Sequence, residues 1–177
     1  MKKELLFSGI GGQGVITLGE TLCDAAIKAG YNVTFVPFYG QEKRGGRTMC
    51  NIVVSDGVES PIISEADIML IFDERSLRDY QSLMSETGTM ILNSDLVELA
   101  PETACKDIRR IPFSQMAQAV GNSKTANVIA LGYIAKLLPM IPYDLITAEV
   151  ERSFAAKPKL IPMNLEALKK GYTFDEQ

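Results

Sequence analysis

The sequence predicts an α/β fold: a doubly wound, mostly parallel sheet with one local antiparallel hairpin. Three observations lead there. A short apolar run near the start breaks into glycines and then changes to helical spacing. Short apolar or β-branched runs alternate with helical patterns along the rest of the chain. The run Ile68–Phe72 is apolar throughout, as expected of a parallel strand covered on both faces.

The first strand is Glu4–Ser8, buried and ending in glycines. From Gly14 the period changes, with Val15, Leu18, Leu22, Ala25, Ala26 and Ala29 at helical spacing and Gly30 as a stop. Asn32–Val36 is a second strand, rich in β-branched and aromatic residues. Pro37 to Arg47 reads as a polar loop dense in glycine and charge. Thr48–Ser55 is a strand, and Asp56-Gly57 is a hairpin signal that would pair Val58–Ile62 back antiparallel. Glu74–Met84 is a helix, and Thr89–Leu92 and Asp107–Ile111 are further strands. Ser114–Val120 begins a helical region. Asn127–Leu138 is a buried helix ended by Pro139. Tyr143–Phe154 and Asn164–Lys170 are amphipathic helices. No repeat, low-complexity segment or linker interrupts the chain, so residues 1–177 form one domain.

Composition narrows the function. The 177 residues are 46% hydrophobic, enough for a single core. A formal net charge of -4 argues against a nucleic-acid partner, which needs a basic face. No apolar run reaches the ~20 residues that span a bilayer. The stretch 126–140 is broken by Gly132, Tyr133, Lys136 and Pro139, and Leu5–Phe7 is too short for a signal peptide. The expectation is a cytoplasmic protein without membrane contact. Cys23, Cys50 and Cys105 are widely separated with no C-x-x-C pair, and read as buried small hydrophobes in a reducing compartment. Histidine is absent. That excludes Ser-His and Cys-His catalysis and histidine metal sites. No metal ligand and no catalytic residue is expected on this chain.

Gly9-Ile10-Gly11-Gly12-Gln13-Gly14 lies between the first strand and the first helix. It satisfies G-x-G-x-x-G in a Rossmann-like context. Glycines let the backbone turn tightly and approach an anion. The helix start adds free N–H groups and partial positive charge. NAD or FAD binding also calls for an acidic residue about 20 residues on, to hold a ribose. Phe35-Val36-Pro37-Phe38-Tyr39 supplies none before Glu42. Three uses remain open: a dinucleotide, another phosphate-bearing ligand, or a ligand-free turn for close packing. The Walker pattern is absent, which weighs against an ATPase.

The second loop is Tyr39-Gly40-Gln41-Glu42-Lys43-Arg44-Gly45-Gly46-Arg47. It follows the second strand, at the same carboxyl edge as the glycine turn. Lys43, Arg44 and Arg47 can clamp a phosphate; the alternative is a solvated charged turn. Asp73-Glu74 is read as a cap on the next helix, with acid–base work as the alternative. Lys157-Pro158-Lys159 reads as a solvated turn, with an interface to an acidic partner as its alternative.

Together, G-x-G-G-Q-G-V and Y-G-x-E-x-R-G-G resemble the gamma subunit of 2-oxoacid:ferredoxin oxidoreductases. The resemblance spans nearly the whole chain, including Val53-Val54-Ser55, the Ala66-Asp67 step and Ala126-Asn127-Val128-Ile129-Ala130-Leu131-Gly132. It implies a complex that converts a 2-oxoacid, coenzyme A and oxidised ferredoxin to acyl-CoA, carbon dioxide and reduced ferredoxin. It also implies that thiamine diphosphate, magnesium and iron–sulfur clusters sit on partner alpha, beta and ferredoxin-like delta subunits. The sequence agrees, since it lacks the G-D-G…N pattern and the cysteine runs. The implied role is structural and coenzyme-A-binding, without catalysis by the chain alone. A homodimer is expected only when the partners are missing.

By the same resemblance, Gly11, Gly12, Gln13 and Gly14 would approach the pyrophosphate, with Gly9 counted in the same cofactor-binding loop. Lys43 and Arg44 would neutralise phosphates. Tyr39, Gly40, Glu42, Gly45 and Gly46 would complete the second loop. Asn127, with Ser123 or Lys124, would line the same edge. Pyruvate-type subunits often carry R-G-A-P where this chain has Arg44-Gly45-Gly46-Arg47. The form here looks more like the 2-oxoglutarate type, although Gln41 stands where that type usually has Pro. Branched-chain 2-oxoacids or pyruvate rank second and indolepyruvate third. A stand-alone nucleotide-binding protein and a ligand-free adaptor are the competing readings.

Overall fold

The computed structural model describes residues 1–42 and 45–175. At the centre of the sheet lies β1 (Lys2–Ile10), whose Leu5, Leu6 and Phe7 are fully buried. Side chains alternate across a strand. Leu5 and Phe7 therefore enter one core and Leu6 the other.

After α1 (Val15–Lys28), the chain forms β2 (Asn32–Tyr39), β3 (Arg47–Ser55), β4 (Ala66–Ile71), α2 (Glu74–Tyr80), β5 (Met84–Asn93) and β6 (Asp107–Ile111). The described residues form a six-stranded sheet in the order β2-β3-β1-β4-β5-β6. β1, β4, β5 and β6 are parallel neighbours. β3 alone runs against the rest, antiparallel to both β1 and β2. The doubly wound, mostly parallel sheet is as the sequence predicts, but the antiparallel element lies elsewhere.

The hairpin expected at Asp56-Gly57 does not form, and residues 58–62 hold no strand. Both edges of β3 are already occupied, so it has no free ladder for Val58–Ile62. Those two residues are exposed instead. Asp56 donates its N–H to the Met1 carbonyl at 3.2 Å, and Ser55 Oγ donates to the Gly57 carbonyl at 2.5 Å. A second difference is β2, which continues through Pro37 to Tyr39 where a loop is expected. Proline removes a ladder donor, which an edge strand tolerates, and β2 is the edge of the sheet.

Helices α3 (Phe113–Val120), α4 (Ala126–Leu137), α5 (Tyr143–Ser153) and α6 (Ile161–Tyr172) follow. With α1 they bury one face of the sheet, packing on Phe7, Ile52, Leu70, Phe72 and Ile91. The other face carries Leu6, Val53, Met69, Ile71 and Leu92. It is covered by Leu77 of α2 and by Ile63, Val97 and Cys105 from the connections. Asp73 caps α2, its carboxylate accepting from the Ser76 N–H at 3.1 Å and from Ser76 Oγ at 2.5 Å. The expected helix to Met84 stops at Tyr80. A 3-10 turn follows and β5 begins at Met84.

α4 is buried from Val128 to Ala135. It lies against α6 at very short range. A Cβ on Gly132 would stand 2.0 Å from the Leu168 carbonyl oxygen, and one on Gly171 would stand 1.8 Å from that of Ile129. α1 and α5 are tied by charge. Glu149, 1% exposed, pairs with Lys28 and with Arg152 at 2.6 Å, and Arg152 also meets Asp24.

Candidate functional site

The parallel strands end at one edge of the sheet. From β1 the chain crosses by α1 to the β2 side, and from β3 it crosses to β4. The crevice between β1 and β4 is therefore a topological switch point, where open α/β sheets bind ligands.

The glycine turn occupies that point. The Gln13 N–H donates to the Ile10 carbonyl at 3.1 Å, and its side-chain Oε1 accepts from the Ile10 N–H at 2.8 Å. Its Nε2 points to the Phe72 carbonyl at 3.5 Å. The Gln13 side chain thus closes the turn from within. Gly9 makes room for it, since a Cβ there would lie 2.4 Å from Gln13 Oε1. Gly14 caps α1 in the left-handed region, at φ 74, with no side-chain cap and no acidic residue in the first turn. The first helical hydrogen bond is Leu18 N–H to the Gly14 carbonyl, at 3.0 Å. The amides of Val15, Ile16 and Thr17 precede it, and such orphan donors favour an anion. Asn127, at the start of α4, donates from Nδ2 to the Gly14 carbonyl at 3.2 Å.

The second loop reaches the turn because of β3. The register pairs Gly9 with Thr48 and Ile10 with Arg47. The Gly11 N–H donates to the Gly46 carbonyl at 2.8 Å, and the Gly40 N–H to the Arg47 carbonyl at 2.6 Å. Glu42 folds over Gly40 and Gly46, where an added Cβ would stand 2.3 Å and 3.0 Å from its Oε2. Its own backbone N–H holds the Glu42 carboxyl below the usual range, helped by Arg75 and Arg47. Arg75 donates to Glu42 Oε1 at 3.3 Å, and Arg47 pairs with Asp79, so α2 braces the loop.

Two hollows flank the turn. A cleft of about 410 Å³ is lined by Gly11, Tyr39, Gly40, Glu42, Gly45 and Gly46, with Arg47 and Thr48 at its β3 side. Tyr39 is 67% exposed. The other hollow, about 220 Å³, is lined by Gly12 and Gln13, by apolar Phe72, Leu96 and Ala126, and by polar Asn93, Ser114, Ser123 and Lys124. Asn93 Nδ2 donates to Ser114 Oγ at 3.0 Å.

The expected residues therefore meet at one edge. Gly9, Gly11, Gly12, Gln13, Gly14 and Asn127 build the turn; Tyr39, Gly40, Glu42, Gly45 and Gly46 build the cleft. Lys43 and Arg44 lie outside the described residues. Asn93, Leu96 and Ser114 were not singled out in the sequence. Their available signal was position, since Asn93 ends β5 and Leu96 and Ser114 follow the ends of β5 and β6, at the edge already marked by the turn. Asp73 is engaged by Ser76 as a cap, as its alternative acid–base role would not require.

β3 also changes the meaning of the glycine motif. In the dinucleotide pattern the second parallel strand lies beside the first and brings the ribose carboxylate. Here β3 stands between them, so β2 is two strand spacings from β1, about 10 Å. The start of β3 takes the usual place of the carboxylate and puts Gly46 against the turn.

Among the described residues, no group of three or more His, Cys, Asp or Glu could hold a metal ion. The three cysteines are free and buried. Among the described residues, no helix is long and apolar enough to cross a membrane.

Known proteins are similar to this chain in sequence and in fold. The ketoisovalerate oxidoreductase subunit VorA of Methanothermobacter thermautotrophicus is 30% identical over 166 residues, covering 93% of this chain and 34% of that one. The chain thus spans about a third of that relative's length. The 2-oxoglutarate synthase subunit KorC of Methanocaldococcus jannaschii is 28% identical over 177 residues, covering 97% of this chain and 93% of that one. Among solved structures, the keto/oxoacid ferredoxin oxidoreductase gamma subunit from Geobacter sulfurreducens PCA superimposes with a TM-score of 0.81 at 26% identity, covering 96% of each chain. The 2-oxoglutarate:ferredoxin oxidoreductase from Magnetococcus marinus, solved with 2-oxoglutarate, coenzyme A and succinyl-CoA bound, gives a TM-score of 0.86 at 21% identity. It covers 96% of this chain and 30% of that one, a likeness of fold alone. Residues 4–174 match the profile of the family described as Pyruvate ferredoxin/flavodoxin oxidoreductase, and the chain belongs to that family.

Proposed function

We propose that this chain is the gamma-type subunit of a 2-oxoacid:ferredoxin oxidoreductase and that its carboxyl edge binds coenzyme A. The observation that carries the reading is the Gly11–Gly46 hydrogen bond at 2.8 Å. It joins the two glycine loops into one surface beside the uncapped start of α1. A pyrophosphate lying there would meet backbone N–H groups at close range, with little side-chain bulk in the way. In this reading Gly9 and Gln13 shape the turn. Gly11, Gly12 and Gly14 give the ligand access, and Asn127 holds the turn against α4. Tyr39, Gly40, Glu42, Gly45 and Gly46, with Lys43 and Arg44, form the second side of the site.

The relatives named for ketoisovalerate and 2-oxoglutarate support the class of complex. The Magnetococcus marinus structure, with coenzyme A bound, supports the ligand. Thiamine diphosphate with magnesium, and the iron–sulfur clusters, would sit on partner alpha, beta and delta subunits and supply decarboxylation and electron transfer to ferredoxin. The chain's own part is to hold coenzyme A by its phosphates, so that the thiol end is presented to those partners. Among substrates, 2-oxoglutarate is favoured by the R-G-G form of the second loop. Branched-chain 2-oxoacids, pyruvate and indolepyruvate rank below it.

The test is an anaerobic purification through a tag on this chain. The recovered material is assayed with several 2-oxoacids, coenzyme A and a low-potential acceptor. Co-purification of thiamine-diphosphate and cluster-bearing subunits, with coenzyme-A-dependent oxidation of 2-oxoglutarate, is expected. The chain recovered alone, inactive and binding NAD or FAD, would sink the proposal in favour of a stand-alone nucleotide-binding protein.

A further inference from the structure

β2 is an edge strand, and its backbone groups can be assigned one by one. The Gly40 N–H donates to the Arg47 carbonyl. Bonded pairs alternate along an antiparallel ladder, so Asn32, Thr34, Val36 and Phe38 also turn their backbone groups to β3. The far side of β3 agrees. Gly46 accepts from Gly11, so the even-numbered residues of β3 turn to β1 and the odd-numbered ones to β2. Val33, Phe35, Pro37 and Tyr39 therefore face outward. Among the described residues no strand lies beside them. The donor that Pro37 lacks falls on this open side.

Edge strands are commonly guarded by charge, yet residues 31–41 carry none. Apolar side chains flank the open edge instead. On one side Val36 is half-buried and Phe38 is 49% exposed. Val58, 94% exposed, joins Asn32 and Thr34 there around a hollow of about 100 Å³. On the other side α1 lies over β2, where a Cβ on Gly19 would reach Phe35 at 3.0 Å. Asp24 and Lys28 hold the flank of α1 that meets α5. Ile16 and Ile27, with Glu20 between them, lie on the opposite flank, and Ile27 is 55% exposed.

The size of the edge selects its occupant. Its 8 residues, at about 3.4 Å each in a sheet about 10 Å thick, offer roughly 270 Å² to a partner. Two free chains need about 1,200–2,000 Å² in total to form a stable pair, so β2 alone does not hold two copies together. A segment of a chain already bound elsewhere to this one needs less area, because its local concentration is high. The net charge of -4 on each copy also opposes self-association.

We propose that β2 receives an extended segment of a partner subunit as a seventh strand, uncharged and with apolar side chains at alternate positions. The proposal rests on the reading of this chain as a subunit and adds the edge by which a partner holds it.

Hydrogen exchange, read residue by residue, tests it in the isolated chain and in the tag-purified complex. In the isolated chain the amides of Val33, Phe35 and Tyr39 should exchange fast while those of Thr34, Val36 and Phe38 are protected. In the complex the first three should slow by about 10-fold or more. Phe38→Asp and Ile27→Asp, one from each flank, should each weaken the chain's affinity for the other subunits roughly 10-fold, with unfolding midpoints near that of wild type. Outward amides as fast in the complex as in the isolated chain overturn the proposal and leave the proposed function standing. Protection that rises with the concentration of the isolated chain also overturns it and assigns the edge to a second copy. Absence of co-purifying thiamine-diphosphate or cluster-bearing subunits overturns the proposed function, and this proposal with it.

Discussion

Asn127 donates its side-chain amide to the Gly14 carbonyl at 3.2 Å, across 113 positions of sequence. This bond draws the first turn of α4 against the first turn of α1. Gly14 is left-handed, and a Cβ on it would lie 2.5 Å from Asn127 Nδ2. Two demands therefore fall on one glycine. Gly14→Ala should lose about 1–2 kcal/mol from the backbone conformation alone, and more from the displaced amide. Denaturant unfolding of Gly14→Ala, Asn127→Ala and the double variant checks this. The double variant should cost less than the sum, because both changes break one contact. Strict additivity would show that the two residues act separately.

The approach of α4 and α6 has no slack. Gly171→Ala would drive a methyl group to 1.8 Å from the Ile129 carbonyl oxygen. Backbone cannot yield as a side-chain tip can. The expected cost is about 1–3 kcal/mol or more, read as a lower Tm. Gly30→Ala is a useful contrast, since a Cβ there meets nothing within 4 Å. Its penalty should come from the left-handed backbone alone, without displacing a neighbouring helix. A Gly171→Ala protein as stable as wild type would mean that the helices separate freely.

Glu149 predicts the acid side of the stability curve. Burial alone would raise its pKa, but the Lys28 ammonium and the Arg152 guanidinium more than offset this and set it below the usual range. A carboxylate whose folded pKa is depressed contributes stability that is present above its unfolded value, about 4.3. That stability is lost as pH falls through the lower folded value. Glu149→Gln should be less stable at neutral pH by about 1–3 kcal/mol. It should also lose less on acidification than wild type. Unfolding midpoints measured from neutral to acid pH should therefore converge; parallel curves would remove Glu149 as the cause.

The cysteines should be silent in the native state. Burial pushes the Cys50 thiol up to about 12 and raises that of Cys23 well above its ordinary value. Thiolate is the reactive form. Maleimide at about pH 8 should label neither residue in native protein and both after denaturation. Rapid native labelling of Cys50 would contradict its place between the sheet and α1.

The fold was legible where local chemistry acts locally. The apolar run from Leu5 to Phe7, the change to helical period at Val15, and the uninterrupted Ile68–Phe72 each mark an element directly. Asp73 as a cap could be read from its place before Glu74 and the helix. Pro139 as a stop followed from its missing donor. What was not legible was pairing. Alternation says that Thr48–Ser55 is a strand; it does not say which strands lie beside it. Asp56-Gly57 is a sound turn signal on its own, yet its hairpin is forbidden because both edges of β3 are taken, one by the preceding β2 and the other by β1 at the start of the chain. Pro37 looked like the start of a loop because the edge position that tolerates it is a property of the whole sheet.

The candidate site divides in the same way. The sequence by itself determined the glycine turn, its place between a strand and a helix, and the second glycine loop, because backbone freedom and spacing are written residue by residue. Only the tertiary structure decided that β3 enters between β1 and β2. That brings Gly46 to Gly11 and leaves one hollow on each side of the turn. Asn93, Leu96, Ser114 and Lys124 come together from distant segments only once the sheet has formed. Strand insertion depends on which long-range ladders and core contacts are jointly satisfied, and no local pattern of residues carries that information.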